Sequence, residues 1–211
     1  SPRGLTYADF AILLRSVKND APPITAALEA AGIPYIVSGM NRLFETPEIR
    51  AICQVFYYLG GFPPDKTPVS EQAIATALRT SGLCRNMTSL AAGLAFLRQR
   101  KAQIGDNFDA KLHLQRLYLD LLETLGIREE NLEDGASRTP EIIFYNLGKF
   151  SQVITDYEQI HFKTPTGSLY EQFASFLFFQ APGYYPEGWE EAGLARIDAV
   201  QISTVHKAKG M

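Results

Sequence analysis

Two short segments hold the side chains with the most chemistry to offer. The first is Ala11-Ile12-Leu13-Leu14, an apolar run that ends at Arg15-Ser16. A guanidinium is planar and permanently charged, and it stabilises charge spread over phosphoryl oxygens. An arginine at the end of a strand serves an ordinary surface ion pair as readily, and the residues alone leave both roles open. The other segment is Val200-Gln201-Ile202-Ser203-Thr204-Val205-His206-Lys207-Ala208-Lys209-Gly210. Here a hydroxyl and an imidazole stand just past the carboxyl end of an apolar strand, where ligands of open α/β sheets gather, with two lysines beside them. A solvated loop is the alternative. There is no GxxxxGK[ST] phosphate loop, no HExxH, no GxSxG and no cysteine cluster, so no complete active site is written in these residues.

The elements around these segments follow from pattern. Phe10 to Leu14 is a short continuous apolar run, which reads as a strand buried on both faces of a parallel sheet. Asp20 and Pro22-Pro23 open a helix through Leu28, and Gly32 closes it. Tyr35-Ile36-Val37 is a second strand, completing a β-α-β unit. Thr46-Pro47-Glu48 is a helix start, with a hydroxyl cap, a proline in the first turn and an acid at the positive end of the dipole. Its helix carries Ile49, Ile52, Cys53, Phe56 and Tyr57 on one apolar face. Helical patterns continue near 70–80, 88–104, 109–125, 139–160 and 167–180. The third of these has Leu112, Leu114, Leu117, Leu119, Leu121 and Leu122, enough to be apolar on more than one side. The fourth repeats the Thr-Pro-Glu start at Thr139. Residues 181–194 are a Gly-, Pro- and aromatic-rich connector in which Trp189 is the expected anchor. Ala199 to Thr204 is a third strand. Strands at both ends with a helical block between them suggest a helical domain inserted in a loop of an α/β domain.

Composition sets the outer bounds. The chain has 211 residues, 46% hydrophobic and 20% charged, with a formal net charge of -3 and an isoelectric point near 5.7. That is a globular balance with room for a sizeable core. A free-standing nucleic-acid binder is usually basic, so composition argues mildly against one, although a piece of a larger binder needs positive charge on one face only. Cys53 and Cys84 stand among apolar residues without CxxC spacing and read as reduced and packed. No signal peptide and no bilayer-length apolar run is present, so a cytoplasmic protein is expected. The chain starts at Ser1 and stops at Met211 without a finishing element, which reads as a piece cut at both ends.

The two chemical segments, in this order and with a helical block between them, resemble a UvrD/Rep-like (superfamily 1A) ATP-dependent DNA helicase. The segment through Arg15 is similar to the family's fourth motif. It is followed at family-like spacing by Leu28-Glu29, Gly32-Ile33-Pro34-Tyr35, Gly39 and Leu43-Phe44-Glu45-Thr46-Pro47-Glu48-Ile49-Arg50. The segment from Val200 to Gly210 is similar to the start of the fifth motif, whose pattern is strand, Thr-x-His, small residue, Lys-Gly, then an apolar residue and Glu. Met211 stands where many members have Leu, and the Glu would fall beyond the chain. The likeness is close at the two ends; the helical middle fits by position and class only.

The resemblance implies a mostly α fold with a small α/β part. Residues 1–40 and 195–211 would be a partial RecA-like parallel sheet (domain 2A), and 41–194 an inserted helical domain (2B). It implies that Arg15 reaches the γ-phosphate of ATP across an inter-domain cleft. It also places Thr204, His206, Lys207, Lys209, Arg42 and Phe44 on or beside the DNA path. Phe44 would either stack on a base or pack beneath its loop. ATP and Mg²⁺ would serve the parent protein, with none bound by this piece alone. The partners implied are single-stranded and duplex DNA and the missing RecA-like domain, with no membrane. The parent would be a motor that moves 3′ to 5′ on single strands in repair or replication. A further basic cluster, Arg98, Arg100, Lys101, Lys111 and Arg116, either touches duplex or is a solvated face with Asp106, Asp109 and Asp120 interleaved. His113 and His161 read as surface or half-buried histidines. Two rivals stay open: the helicase subunit of a recombination helicase–nuclease, and a non-catalytic regulatory or protein-interaction domain.

Overall fold

The computed structural model describes residues 4–37, 40–105, 112–132, 139–184 and 197–205. Its strands are β1 (Ala11–Leu14), β2 (Tyr35–Val37) and β3 (Val200–Thr204). Its helices are α1 (Val17–Ala30), α2 (Pro47–Leu59), α3 (Glu71–Thr80), α4 (Met87–Gly105), α5 (Leu114–Thr124), α6 (Pro140–Ile160), α7 (Thr166–Phe179) and the single turn α8 (Ala181–Tyr184). The chain is therefore mostly helical with a small parallel sheet, as its pattern predicts.

The sheet has the order β1-β3-β2, and β3 runs parallel to both neighbours. Strands from the two ends of the chain thus share one sheet, with Leu14 opposite Thr204 and Val37 opposite Ile202. Helix α1 covers one face. Val17, Ala21 and Ile202 form a small core there, with Ile12, Leu14, Ile24, Leu28, Tyr35 and Val37 packed against it. On the other face Leu13 is 46% exposed, and Phe10, which by strand alternation shares the face of Ile12 and Leu14, is exposed at the end of the ladder. The expectation of a strand buried on both faces is corrected. An unbroken apolar run does not reveal that a helix covers only one side.

Helix α1 also begins earlier than its prolines suggest. Ser16 is its N-cap, so Pro22 and Pro23 lie inside the helix, past its first turn. Proline removes a hydrogen bond to the carbonyl four residues back, which normally disfavours this position. The Pro22 carbonyl accepts from the Thr25 hydroxyl at 3.1 Å. At the other end Gly32 adopts φ 66°, and the Ile33 amide closes back on the Leu28 carbonyl, as a left-handed helix terminus requires.

The helical block has its own, larger core. Helix α2 lies at its centre and touches α3, α4, α6 and α7. The sequence predicts one apolar face, but Ala51, Val55, Tyr58 and Leu59 are buried along with Ile49, Ile52, Cys53, Phe56 and Tyr57. Phe56 sits 5.9 Å from Phe150 and 5.0 Å from Phe173, ring centre to ring centre. Conversely, α5 is less buried than its leucines imply. Leu114, Leu117 and Leu121 face inward, but Leu119 is 48% exposed. The Tyr118 phenol, also buried, donates to the Leu147 carbonyl at 2.9 Å. Residues 109–111 of the expected helix lie outside the described residues, and the helix proper starts at Leu114. Both cysteines are free and buried. Among the described residues no helix is long and apolar enough to cross a membrane.

Candidate functional site

Because all three strands are parallel, their carboxyl ends emerge at one edge of the sheet. Ligands of open α/β sheets bind at that edge. Arg15 follows β1 directly there and is exposed. Among the described residues no carboxylate holds it in an ion pair, so its charge faces solvent. Thr204 ends β3 next to it, half-buried, in register with Leu14. The fold therefore brings together two residues that are far apart in the chain. At the opposite edge Asp198 accepts from the Ala8 amide at 3.1 Å and ties the incoming chain to the start of β3.

The turn that carries Arg15 is closely bonded. The Ser16 amide donates to the Asp20 carboxylate at 3.0 Å. The Asn19 amide donates to the Ser16 hydroxyl at 3.4 Å. The Asp20 amide donates to the Ser16 carbonyl at 2.9 Å. Sequence reading treats Asp20 as a helix opener beside the prolines and misses its link to the Arg15–Ser16 peptide. The usual helix-start signature pairs the N-cap with an acid three residues on, and that position here is Asn19, so Asp20 carries no standard signal.

The other expected DNA residues divide. His206, Lys207 and Lys209 lie outside the described residues. Arg42 belongs to a 3-10 helix, Met40–Glu45, and its side chain also lies outside them. Of the two expectations for Phe44, the structure shows packing. The ring is 9% exposed and meets Phe150 edge-on at 6.3 Å. Base stacking would need an open ring face, which Phe44 does not offer in this arrangement. Trp189 lies outside the described residues.

The basic cluster of the helical block is largely answered by its own acids and rings. Arg98 makes a two-pronged contact with Glu71, at 3.0 and 2.8 Å, and this bond holds the Glu71 carboxyl below its ordinary value. Arg116 pairs with Asp120 at 2.8 Å. Arg100 lies 3.8 Å from the same carboxylate and over the Phe96 ring. The Lys101 ammonium lies 3.8 Å above the centre of the Tyr58 ring. Lys111, Asp106 and Asp109 lie outside the described residues. His113 is exposed, and His161 stacks on Tyr157 at 4.2 Å. A shallow concavity of about 500 Å³ that sequence reading does not single out is lined by Thr76, Arg79, Thr80 and Arg85. Among the described residues no three His, Cys, Asp or Glu side chains gather as metal ligands.

Comparison of the sequence with family models gives no match, and comparison with curated proteins gives none.

Proposed function

We propose that this chain is part of an ATP-driven DNA helicase of the UvrD/Rep-like kind, contributing part of a RecA-like domain and the helical domain inserted in it. One observation carries the reading: Arg15 and Thr204, taken from the two segments that resemble helicase motifs, stand at adjacent strand ends of one parallel sheet. The two separate hydrophobic cores, one in the sheet and one in the helical block, support the insertion.

Arg15 fits a phosphate-facing role. It is exposed, at the ligand edge of the sheet, and no described carboxylate competes for it. ATP with Mg²⁺ would supply the phosphoryl transfer, held mainly by parts of the parent outside this chain. Arg15 would present a fixed positive charge to the γ-phosphate oxygens as charge builds there. Thr204, with His206, Lys207 and Lys209 after it, would face the backbone of a single strand. The whole protein would move 3′ to 5′ and separate the duplex ahead.

The test is single-strand-stimulated ATP hydrolysis by the complete protein. Arg15→Ala is expected to lower kcat by about 10²-fold or more, the scale for removing a preorganised charge from a transition state. Hydrolysis unmoved by Arg15→Ala, or no hydrolysis at all with single-stranded DNA present, overturns the reading.

An alternative reading, favoured by the internal pairing of Arg98 and Arg116 with Glu71 and Asp120, makes the helical block a protein-contact or regulatory module rather than a duplex binder. Fluorescence anisotropy with single- and double-stranded probes at two salt concentrations separates them. Duplex binding by the block alone should fall steeply with salt and with charge reversal at Arg98, Arg100 and Lys101. Indifference to those reversals supports the module.

A further inference from the structure

We infer that Asp20 is a positioning residue for Arg15; the inference rests on the helicase reading above. The direction in which a side chain leaves the backbone is set by the two peptide planes that flank it. For Arg15 the preceding plane belongs to Leu14, which is fixed by the ladder to Thr204. The following plane contains the Ser16 N–H, and that N–H is held by the Asp20 carboxylate at 3.0 Å. Asp20 also grips the same residue through its own amide, which donates to the Ser16 carbonyl at 2.9 Å. The side-chain cap of Ser16, at 3.4 Å, is the longest of the three bonds. The shorter two both come from Asp20.

Asp20 is well placed to keep this role. It lies in the first turn of α1, where the unpaired amides of a helix start favour a carboxylate. Its carboxylate forms no ion pair with Arg15, so it orients the arginine without neutralising it. A flexible guanidinium on an unfixed turn would sample many directions. Fixing the turn sets the direction of the Arg15 Cα–Cβ bond, and so the region the guanidinium can reach. Misplacement of a catalytic group by about 1 Å costs on the order of 10²-fold in rate, so a backbone hydrogen bond here has kinetic weight.

The experiment is a double-mutant cycle on the complete protein, with kcat and KM for ATP measured under saturating single-stranded DNA and thermal melts recorded in parallel. Asp20→Ala is expected to lower kcat by about 10-fold or more, with KM moved less, in keeping with loss of alignment. Asp20→Asn, which keeps an oxygen acceptor, should recover most of the rate. In an Arg15→Ala background, Asp20→Ala should do nothing further to kcat. A merely structural role would lower the melting temperature and cut the rate equally in both backgrounds, and that result overturns the inference. An Arg15→Ala defect without an Asp20→Ala defect also overturns it while leaving the helicase reading intact. An unaffected Arg15→Ala removes both. If Asp20→Ala does not fold, Asp20→Ser is the further variant: it keeps a helix-start residue type but is too short to reach the Ser16 amide.

Discussion

Gly60 ends α2 against α7, and a methyl group built there meets the Tyr170 carbonyl oxygen at 2.5 Å and the Ala174 methyl at 2.9 Å. Backbone cannot step aside as a side chain can, so Gly60→Ala must push the two helices apart. Overpacking of this kind costs about 1–3 kcal/mol. Gly148, inside α6, is the opposite case, with nothing within 4 Å of an added methyl. Gly148→Ala should stabilise by about 0.5–1 kcal/mol, because alanine loses less backbone entropy in a helix. Urea denaturation of the two variants checks both signs. Buried titrating groups give another expectation. Burial pushes the Cys53 thiol from 9.0 up to about 12, against a smaller opposing bond from Tyr57, and pushes the Tyr157 phenol from 10.0 up to about 12. Tyr57, Tyr118 and Tyr170 are raised as well, again chiefly by burial. The folded state therefore keeps protons that the unfolded chain releases. Stability should be fully present below about pH 9 and decline as pH rises from there toward 12. Denaturation midpoints across that range that stay level would contradict the burial of these groups.

At the scale of elements, α5 shows how one helix completes another. Its N-cap, His113, makes no side-chain capping bond. Instead Glu158, from α6, accepts from the Leu114 amide at 2.7 Å and the Gln115 amide at 3.3 Å. Removing this cap with Glu158→Ala should cost about 0.5–2 kcal/mol. Hydrogen exchange should quicken first at Leu114 and Gln115; unchanged exchange there would show that the cap is dispensable. This bond also marks where the sequence stops being legible. The α6 start at Thr139-Pro140 and the α2 start at Thr46-Pro47 are readable from the proline that follows each N-cap threonine, but the expected hydroxyl cap is corrected: neither threonine side chain makes a capping bond, and that of Thr46 donates to the Leu43 carbonyl instead. A cap supplied by a residue forty-odd positions away has no local signature. The same limit explains α2, whose remaining residues become buried only because four other helices surround it. It explains Leu119, which is exposed while Leu114, Leu117 and Leu121 of the same run are buried. The site is readable in part for a related reason. Arg15 and Thr204 each end an apolar run, and parallel strands place such ends together. Asp20 is masked by the stronger Pro22-Pro23 signal, and the ring of Phe44 cannot be assigned to core or surface until Phe150 is known to face it.

At the scale of the whole molecule, the described residues form two cores of very unequal size. The core of the sheet unit gathers three buried hydrophobic residues, whereas the helical block gathers most of the large side chains between Leu43 and Ala181. Stability tracks the apolar surface that a unit removes from water, so the two should open independently. Ile202→Ala deletes the centre of the small core, a change of about 2–5 kcal/mol for a buried isoleucine. Amide protection is expected to vanish in β1, β2 and β3 while α2 and α6 keep theirs. Loss of protection throughout would mean that the two units unfold as one.

The strand order has a consequence for how such a chain is made. Of the three described strands the middle one, β3, is made after the other two, and β1 and β2 bond to it rather than to each other. A ribosome that has finished β2 at Val37 must still build everything up to Val200 before either early strand can meet β3. At ordinary elongation speeds that wait is on the order of ten to thirty seconds. During it, Ile12, Leu14, Tyr35 and Val37 emerge without β3, while the helical block, which ends at Tyr184, is completed before β3 is made. The helical block can therefore form on the nascent chain before the pairing that brings Arg15 beside Thr204.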